Sequence, residues 1–157
     1  MRILVVTATD AEIAPFIAGL RDAADGGPRV RTYARGGHVV DVLMTGVGMV
    51  ATAVWCSRAL ARERYDLALN LGVCGNFDRA LPPATVVHVV SDRIAELGAE
   101  DDEAFLTIQE LKLLGEEEFP FRGGRLVNVT AQANMALSRL PAVDGITVNT
   151  VHGNERS

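Results

Sequence analysis

Glu12 follows an apolar run, Ile3 to Val6, that reads as a buried strand, so its carboxylate falls where a strand gives way to a helix. A carboxylate there has the chemistry of a proton acceptor. The plain structural alternative is a capping box, in which Thr9 caps the helix and Glu12, three residues on, reaches back to it. Pro15 argues against that register, because a cap at Thr9 makes the proline the sixth helical residue, where its missing N–H costs about 3 kcal/mol. A helix starting near Ala11 or Glu12 puts Pro15 among the first four residues, whose amides lack intrahelical acceptors in any case. In that register Glu12 opens the helix at the rim of a cleft.

Two glycine-bearing turns complete the set of candidates. Thr45-Gly46-Val47-Gly48-Met49-Val50-Ala51 joins a strand to a helix, and Leu71-Gly72-Val73-Cys74-Gly75-Asn76-Phe77 closes the apolar run Leu67 to Leu71. Glycine is used where φ must be positive or where another atom has to approach the main chain closely. Each turn therefore either packs tightly on a neighbour or faces a ligand. Ligands of open α/β sheets bind at the carboxyl edge of the strands, so both turns and Glu12 can line one cleft. The spacing Gly46-x-Gly48-x-x-Ala51 matches the dinucleotide fingerprint only in its loosest form. The acidic residue that the full motif needs has one candidate, Asp66, which precedes its strand where the motif requires the strand's end. A nicotinamide or flavin site is not expected, and there is no GxxxxGK[ST] phosphate loop.

The elements that must position these residues are short β-branched runs alternating with helices. Ile3 to Val6, Leu67 to Leu71, Thr85 to Val90 and Ile146 to Val151 read as strands. Val30 to Ala34 and Val39 to Thr45 form a hairpin through Gly36-Gly37. Met49 to Arg64 is the clearest helix, with Val50, Ala53, Val54, Ser57, Leu60 and Ala61 as its packing face and Arg58, Arg62 and Glu63 away from it. A second helix is expected from about Glu12 to Ala24. Between Gly98 and Gly124 the chain turns charged, with one short helical pattern from Phe105 to Leu114, and reads as an excursion over the sheet. Continuous apolar strands interleaved with helices predict an α/β fold, a mixed sheet covered on both faces.

Composition narrows the partners. At 157 residues and 48% apolar content the chain is expected to form one domain, 1–157. Its 15 basic and 20 acidic residues give −5, and the basic ones are scattered, so nucleic acid is not an expected partner. No stretch approaches the roughly 20 apolar residues that cross a bilayer, and no signal-peptide core precedes the acidic residues near the start. The expected location is cytoplasmic, without membrane contact. Cys56 and Cys74 lack the spacing of a zinc or CxxC motif and are expected to be reduced, buried, small residues.

Taken together, ILVVTATDAEIAPF, VLMTGVGMVATA, DLALNLGVCGNFD, TVVHVVSDR and ITVNTVHGNE resemble the nucleoside phosphorylase and nucleosidase superfamily over nearly the whole chain. The wording LNLGVCGNFDRALPPATVV, SDRIAELGAED and TVNTVHGNE is similar to the futalosine hydrolases of the alternative menaquinone pathway. The neighbouring branch is the methylthioadenosine/S-adenosylhomocysteine nucleosidases. The resemblance implies a three-layer helix–sheet–helix domain and hydrolysis of the N-glycosidic bond of a purine nucleoside, with hypoxanthine released from futalosine. It implies homo-oligomers and neither a cofactor nor a metal. Under it Glu12 falls on the carboxylate that activates the attacking water. Gly46, Val47 and Gly48 fall on the loop beside that water, Val73, Cys74 and Gly75 on the backbone bordering the purine, and Val151, His152, Gly153 and Asn154 near the other side of the base.

The chain also departs from that pattern. Members of the superfamily carry a Met-Glu pair for the ribose hydroxyls and an Asp that assists the leaving base, both beyond the strand equivalent to Ile146–Val151. This chain ends at Ser157 before either, so the expectation is the amino-terminal two-thirds of the family domain, carboxyl-terminally incomplete. No aromatic residue stands at Val151 to Asn154 to stack on a purine; His152 can substitute or simply be solvated. Asp92 is either a replacement acid or a strand cap. A rival of another class is a non-catalytic nucleoside-binding or assembly module whose open sheet edge is covered by a partner.

Overall fold

The computed structural model describes residues 1–128 and 135–151, which divide between two compact units, Met1–Phe77 and Asp78–Ser157. In the first unit the run ILVV becomes β1 (Arg2–Thr7), the centre of a five-stranded sheet. β2 is Arg21–Asp25, β3 Val30–Arg35, β4 His38–Met44 and β5 Leu67–Asn70, and the order across the sheet is β2-β3-β4-β1-β5. β1 runs parallel to β4 and to β5, whereas β2, β3 and β4 are successively antiparallel, which makes the sheet mixed.

Period-two alternation sends neighbouring residues of β1 and β4 to opposite faces. Val5, Val40 and Val42 meet Ile13 of α1 (Asp10–Ile17) on one face, with Tyr33 beside them. Leu4, Val6 and Leu43 meet Ala59 of α2 (Met49–Arg62) on the other. Both faces are covered, as the unbroken apolar run requires, and each fully buried aliphatic side chain contributes about 1.5–3 kcal/mol. The first unit is thus the expected α/β layering, with helix, sheet and helix.

α2 packs through a different face from the one its sequence suggests. Trp55, Cys56 and Ala59 turn to the sheet, while Val50, Val54 and Leu60 remain 79%, 59% and 55% exposed. Both faces of this helix carry apolar residues, so periodicity alone does not select between them; the bulk of Trp55 beside Val30 and Tyr65 fills the space over β3 and β4.

The helix expected from Glu12 to Ala24 ends at Ile17, and Arg21–Asp25 is β2, the outermost strand. Pro15 removes a helical hydrogen bond two residues before that end, and the backbone of Arg21–Asp25 pairs with β3 instead, Arg21 opposite Ala34 and Asp25 opposite Arg31. The start of α1 also differs from expectation. Thr9 is its N-cap, Glu12 closes a capping box, and Pro15 lies inside the helix. The carbonyl that Pro15 leaves without its helical donor belongs to Ala11, an exposed residue open to water.

In the second unit β6 (His88–Ile94) lies between β10 (Ala142–Thr147), parallel to it, and β9 (Leu126–Val127), antiparallel. The strand expected at Thr85–Val90 begins later, because a turn holds Thr85 N–H on the Pro82 carbonyl and Ala84 takes φ 65°. The last strand lies at Ala142–Thr147, four residues before the expected Ile146–Val151, in register with β6 through Ala142 opposite His88. No helix forms at Phe105–Leu114. β8 (Ala104–Thr107) pairs with β7 (Gly98–Asp101) as a hairpin, in which Phe105 and Leu106 alternate sides. Among the described residues no helix is long and apolar enough to cross a membrane.

Candidate active site

Three strand ends are tied side by side by backbone hydrogen bonds. Thr45 N–H donates to the Thr7 carbonyl at 2.9 Å, Gly46 N–H to the Ala8 carbonyl at 3.1 Å, and Leu71 N–H to the Val6 carbonyl at 2.9 Å. The carboxyl ends of β4, β1 and β5 therefore form one ledge. Thr45, buried, adds hydroxyl contacts to the Thr7 and Gly46 carbonyls at 3.3 and 2.9 Å and shares a hydrogen bond with the Thr52 hydroxyl at 3.2 Å, which anchors α2 to the ledge.

Glu12 stands on this ledge. Its Oε2 accepts the Thr9 N–H at 2.8 Å and the Thr9 hydroxyl at 3.0 Å, and its Oε1 accepts the Val73 N–H at 3.2 Å. The capping box and the site residue are thus one side chain: one oxygen serves the helix and the other reaches the turn after β5. Gly72 is bare because of that reach, since a Cβ built on it would lie 2.9 Å from Oε1. Gly75, in the same turn, meets nothing within 4 Å.

Partial desolvation pushes the Glu12 carboxyl up, but hydrogen bonds from the Val73 N–H, the Thr9 hydroxyl and N–H, and the Ala8 N–H outweigh it and hold it below the ordinary glutamate range. The group is therefore an anion at neutral pH. A depressed pKa makes a weaker base but a standing negative charge, the property that an electron-poor reacting centre needs.

The other candidates distribute unevenly. Gly46 and Gly48 take φ of 82° and 106°, a region that L side chains avoid, so both are required by the backbone of their turn. Gly48 is the N-cap of α2. Val47 and Val73 each project 82% exposed from the two turns. Cys74 is exposed, against the expectation of burial, because its turn lies past the end of β5; Cys56 is half-buried on the sheet-facing side of α2, where burial pushes its thiol up. Val151 lies in the second unit and is exposed, and His152, Gly153 and Asn154 lie outside the described residues. Asp92 is inside β6 and is not its cap: Oδ2 accepts the Thr147 hydroxyl at 2.8 Å. Sequence reasoning names the Thr9–Glu12 capping box from its Thr-x-x-Glu spacing and sets it aside because of Pro15, whereas the structure forms it. Thr45 carried no signal beyond its place before a glycine.

An anionic side chain stands on the carboxyl ends of three adjacent parallel strands, flanked by two exposed turns, the edge at which open α/β sheets bind ligands. The chain belongs to the phosphorylase superfamily, whose family model matches residues 2–148. It is 31% identical over 159 residues to a futalosine hydrolase of Acidothermus cellulolyticus, covering 97% of this chain and 61% of that protein. Its fold is similar to the 5'-methylthioadenosine/S-adenosylhomocysteine nucleosidase of Campylobacter jejuni, with a TM-score of 0.73 at 15% identity over 98% of this chain and 67% of the other. The Colwellia psychrerythraea nucleosidase of the same name, in complex with adenine, matches with a TM-score of 0.64 at 16% identity over 94% and 61%. The chain therefore spans about three-fifths of the length of the curated relative.

Proposed function

We propose that the chain carries the water-activating part of a purine-nucleoside N-glycosidase that cleaves futalosine to hypoxanthine and dehypoxanthine futalosine, a step of menaquinone biosynthesis. The single observation behind this reading is the Glu12 carboxylate, ionised and bound to the Val73 N–H at the strand edge. Glycosidic cleavage passes through an oxocarbenium-like state. A fixed anion beside the sugar offsets that charge, while water adds to the anomeric carbon, the C–N bond breaks toward the base, and the water's proton passes to Glu12. General-base help of this kind is worth about 10²–10⁴-fold. Gly46, Val47 and Gly48 border the water, and Val73, Cys74 and Gly75 border the base. The one-domain reading, 1–157, belongs to the same proposal, as does a cytoplasmic location, in keeping with the two free thiols.

The family relationship supports the reaction class, and the futalosine hydrolase relative supports futalosine as the substrate. Hypoxanthine release from futalosine by the protein carrying this chain, abolished in Glu12→Gln, is the expected result. Undiminished release in Glu12→Gln removes Glu12 from the mechanism, and faster cleavage of methylthioadenosine overturns the substrate.

A homo-oligomer is part of the reading, supported by the outer face of α2. Val50 and Val54, one turn apart, are exposed apolar residues there, and a second copy is the occupant proposed for them. Val54→Asp should shift sedimentation toward the monomer; an unchanged species distribution in that variant argues against this face as the contact.

A further inference from the structure

We infer that a groove on the α2 face of the first unit's sheet is a second ligand site, which takes a small organic anion of about the size of an aromatic carboxylate. Arg2, at the start of β1, marks its far end, five residues or about 17 Å along the strand from the edge that carries the candidate active site. The groove encloses about 190 Å³ between α2 and the strands β3 and β4. That is room for about six waters at their liquid volume, more than a packing defect leaves.

Its floor is apolar, made by Val30, Leu43 and Ala59, and Trp55 forms a wall. Its inner end is polar, and its carboxylates are already paired. Asp41, 1% exposed, accepts Arg2 Nε at 2.8 Å, the Thr32 hydroxyl at 2.6 Å and the Tyr65 hydroxyl at 3.1 Å. Arg2 also holds Glu63 at 2.8 Å, so both carboxylates of the groove share one guanidinium.

Two further cations line the groove, Arg58 and Arg62. Arg58 lies over the Trp55 ring, 5.6 Å from its centroid, which fixes its guanidinium beside the groove. Arg62 stands one helical turn beyond Arg58, and like charges at that spacing repel. Among the described residues neither Arg58 nor Arg62 has a carboxylate within ion-pair distance. An otherwise acidic chain thus keeps two unpaired guanidiniums beside one apolar slot. Guanidiniums match carboxylate oxygens by paired hydrogen bonds, and an anion between Arg58 and Arg62 relieves their repulsion. The apolar floor selects an anion with a compact hydrocarbon body over a bare inorganic one.

Trp55 is the only tryptophan of the chain, so its fluorescence reports on this groove alone. Titration with benzoate should give a saturable change in Trp55 emission. In Arg58→Gln/Arg62→Gln the affinity should fall at least tenfold at unchanged melting temperature, and Glu12→Gln should bind as the unaltered chain does, which separates this site from the catalytic proposal. Benzyl alcohol, the neutral counterpart, and inorganic phosphate, the charge without the body, should both bind at least tenfold more weakly. Non-saturating quenching that is equal in the double variant overturns the site. Equal binding of benzyl alcohol overturns its anionic character, and equal binding of phosphate overturns the role of the apolar floor.

Discussion

The Glu12 carboxylate occupies the space that a side chain on Gly72 would need: a Cβ built there meets Oε1 at 2.9 Å and Cδ at 3.5 Å. The glycine is a condition for the carboxylate's position. Gly72→Ala should therefore displace Glu12, weaken the Val73 hydrogen bond and cost about 1–3 kcal/mol, as overpacking does. Gly75→Ala, with open space at its Cβ, should stay within about 0.5 kcal/mol of the unaltered chain. Urea unfolding of the pair checks the contrast.

Thr9→Val removes one donor to Oε2 and keeps the backbone one. The helix cap should lose about 1 kcal/mol, and the Glu12 carboxyl should rise toward the ordinary glutamate range. Carbon-detected NMR titration of Glu12 reads the second effect directly, while thermal unfolding reads the first.

Because the folded pKa of Glu12 is depressed, its contribution to stability is present above the ordinary glutamate range and is lost as pH falls through the folded value. Unfolding free energies measured from about pH 6 down to about pH 3 should decline less steeply in Glu12→Gln. An identical acid limb in both proteins would show that the hydrogen bonds to Glu12 do not distinguish its two protonation states.

Tyr65 behaves in the opposite sense. Burial, then the charge and hydrogen bond of Asp41, push its phenol up to about 12. An unfolded tyrosine ionises near about 10, so the contribution is complete below that value and is lost as pH rises through the folded one. Ultraviolet titration of the Tyr33→Phe protein, which leaves Tyr65 as the only phenol, should show this late ionisation. Asp41→Ala, which removes the shared acceptor of Arg2 Nε, Thr32 and Tyr65 at once, should cost about 3–5 kcal/mol.

The packing of α2 gives a further contrast. Leu43→Ala should cost about 2–5 kcal/mol, whereas Leu60→Ala, on the exposed face, should change monomer stability by about 0.5 kcal/mol or less. Comparable losses at the two positions would return the helix to the face that its sequence suggests.

Local pattern by itself determined a good deal of this protein. The apolar run of β1, the glycine-joined hairpin of β3 and β4, the strand β5 and the helix α2 follow from the spacing of apolar residues and from turn chemistry, which act within a few residues. Glu12 and both glycine turns stood out for the same reason: their residue types are unusual where they fall. Tertiary structure decided what depended on distant neighbours. Arg21–Asp25 became a strand because β3 offered it a backbone to pair with, and Trp55 won the inner face of α2 because β3 and β4 left space for an indole. Glu12 met Val73 across 61 residues, and that meeting required Gly72 to be bare. A hydrogen bond between residues so far apart exists only once the sheet has brought their strand ends together, so no local pattern can announce it.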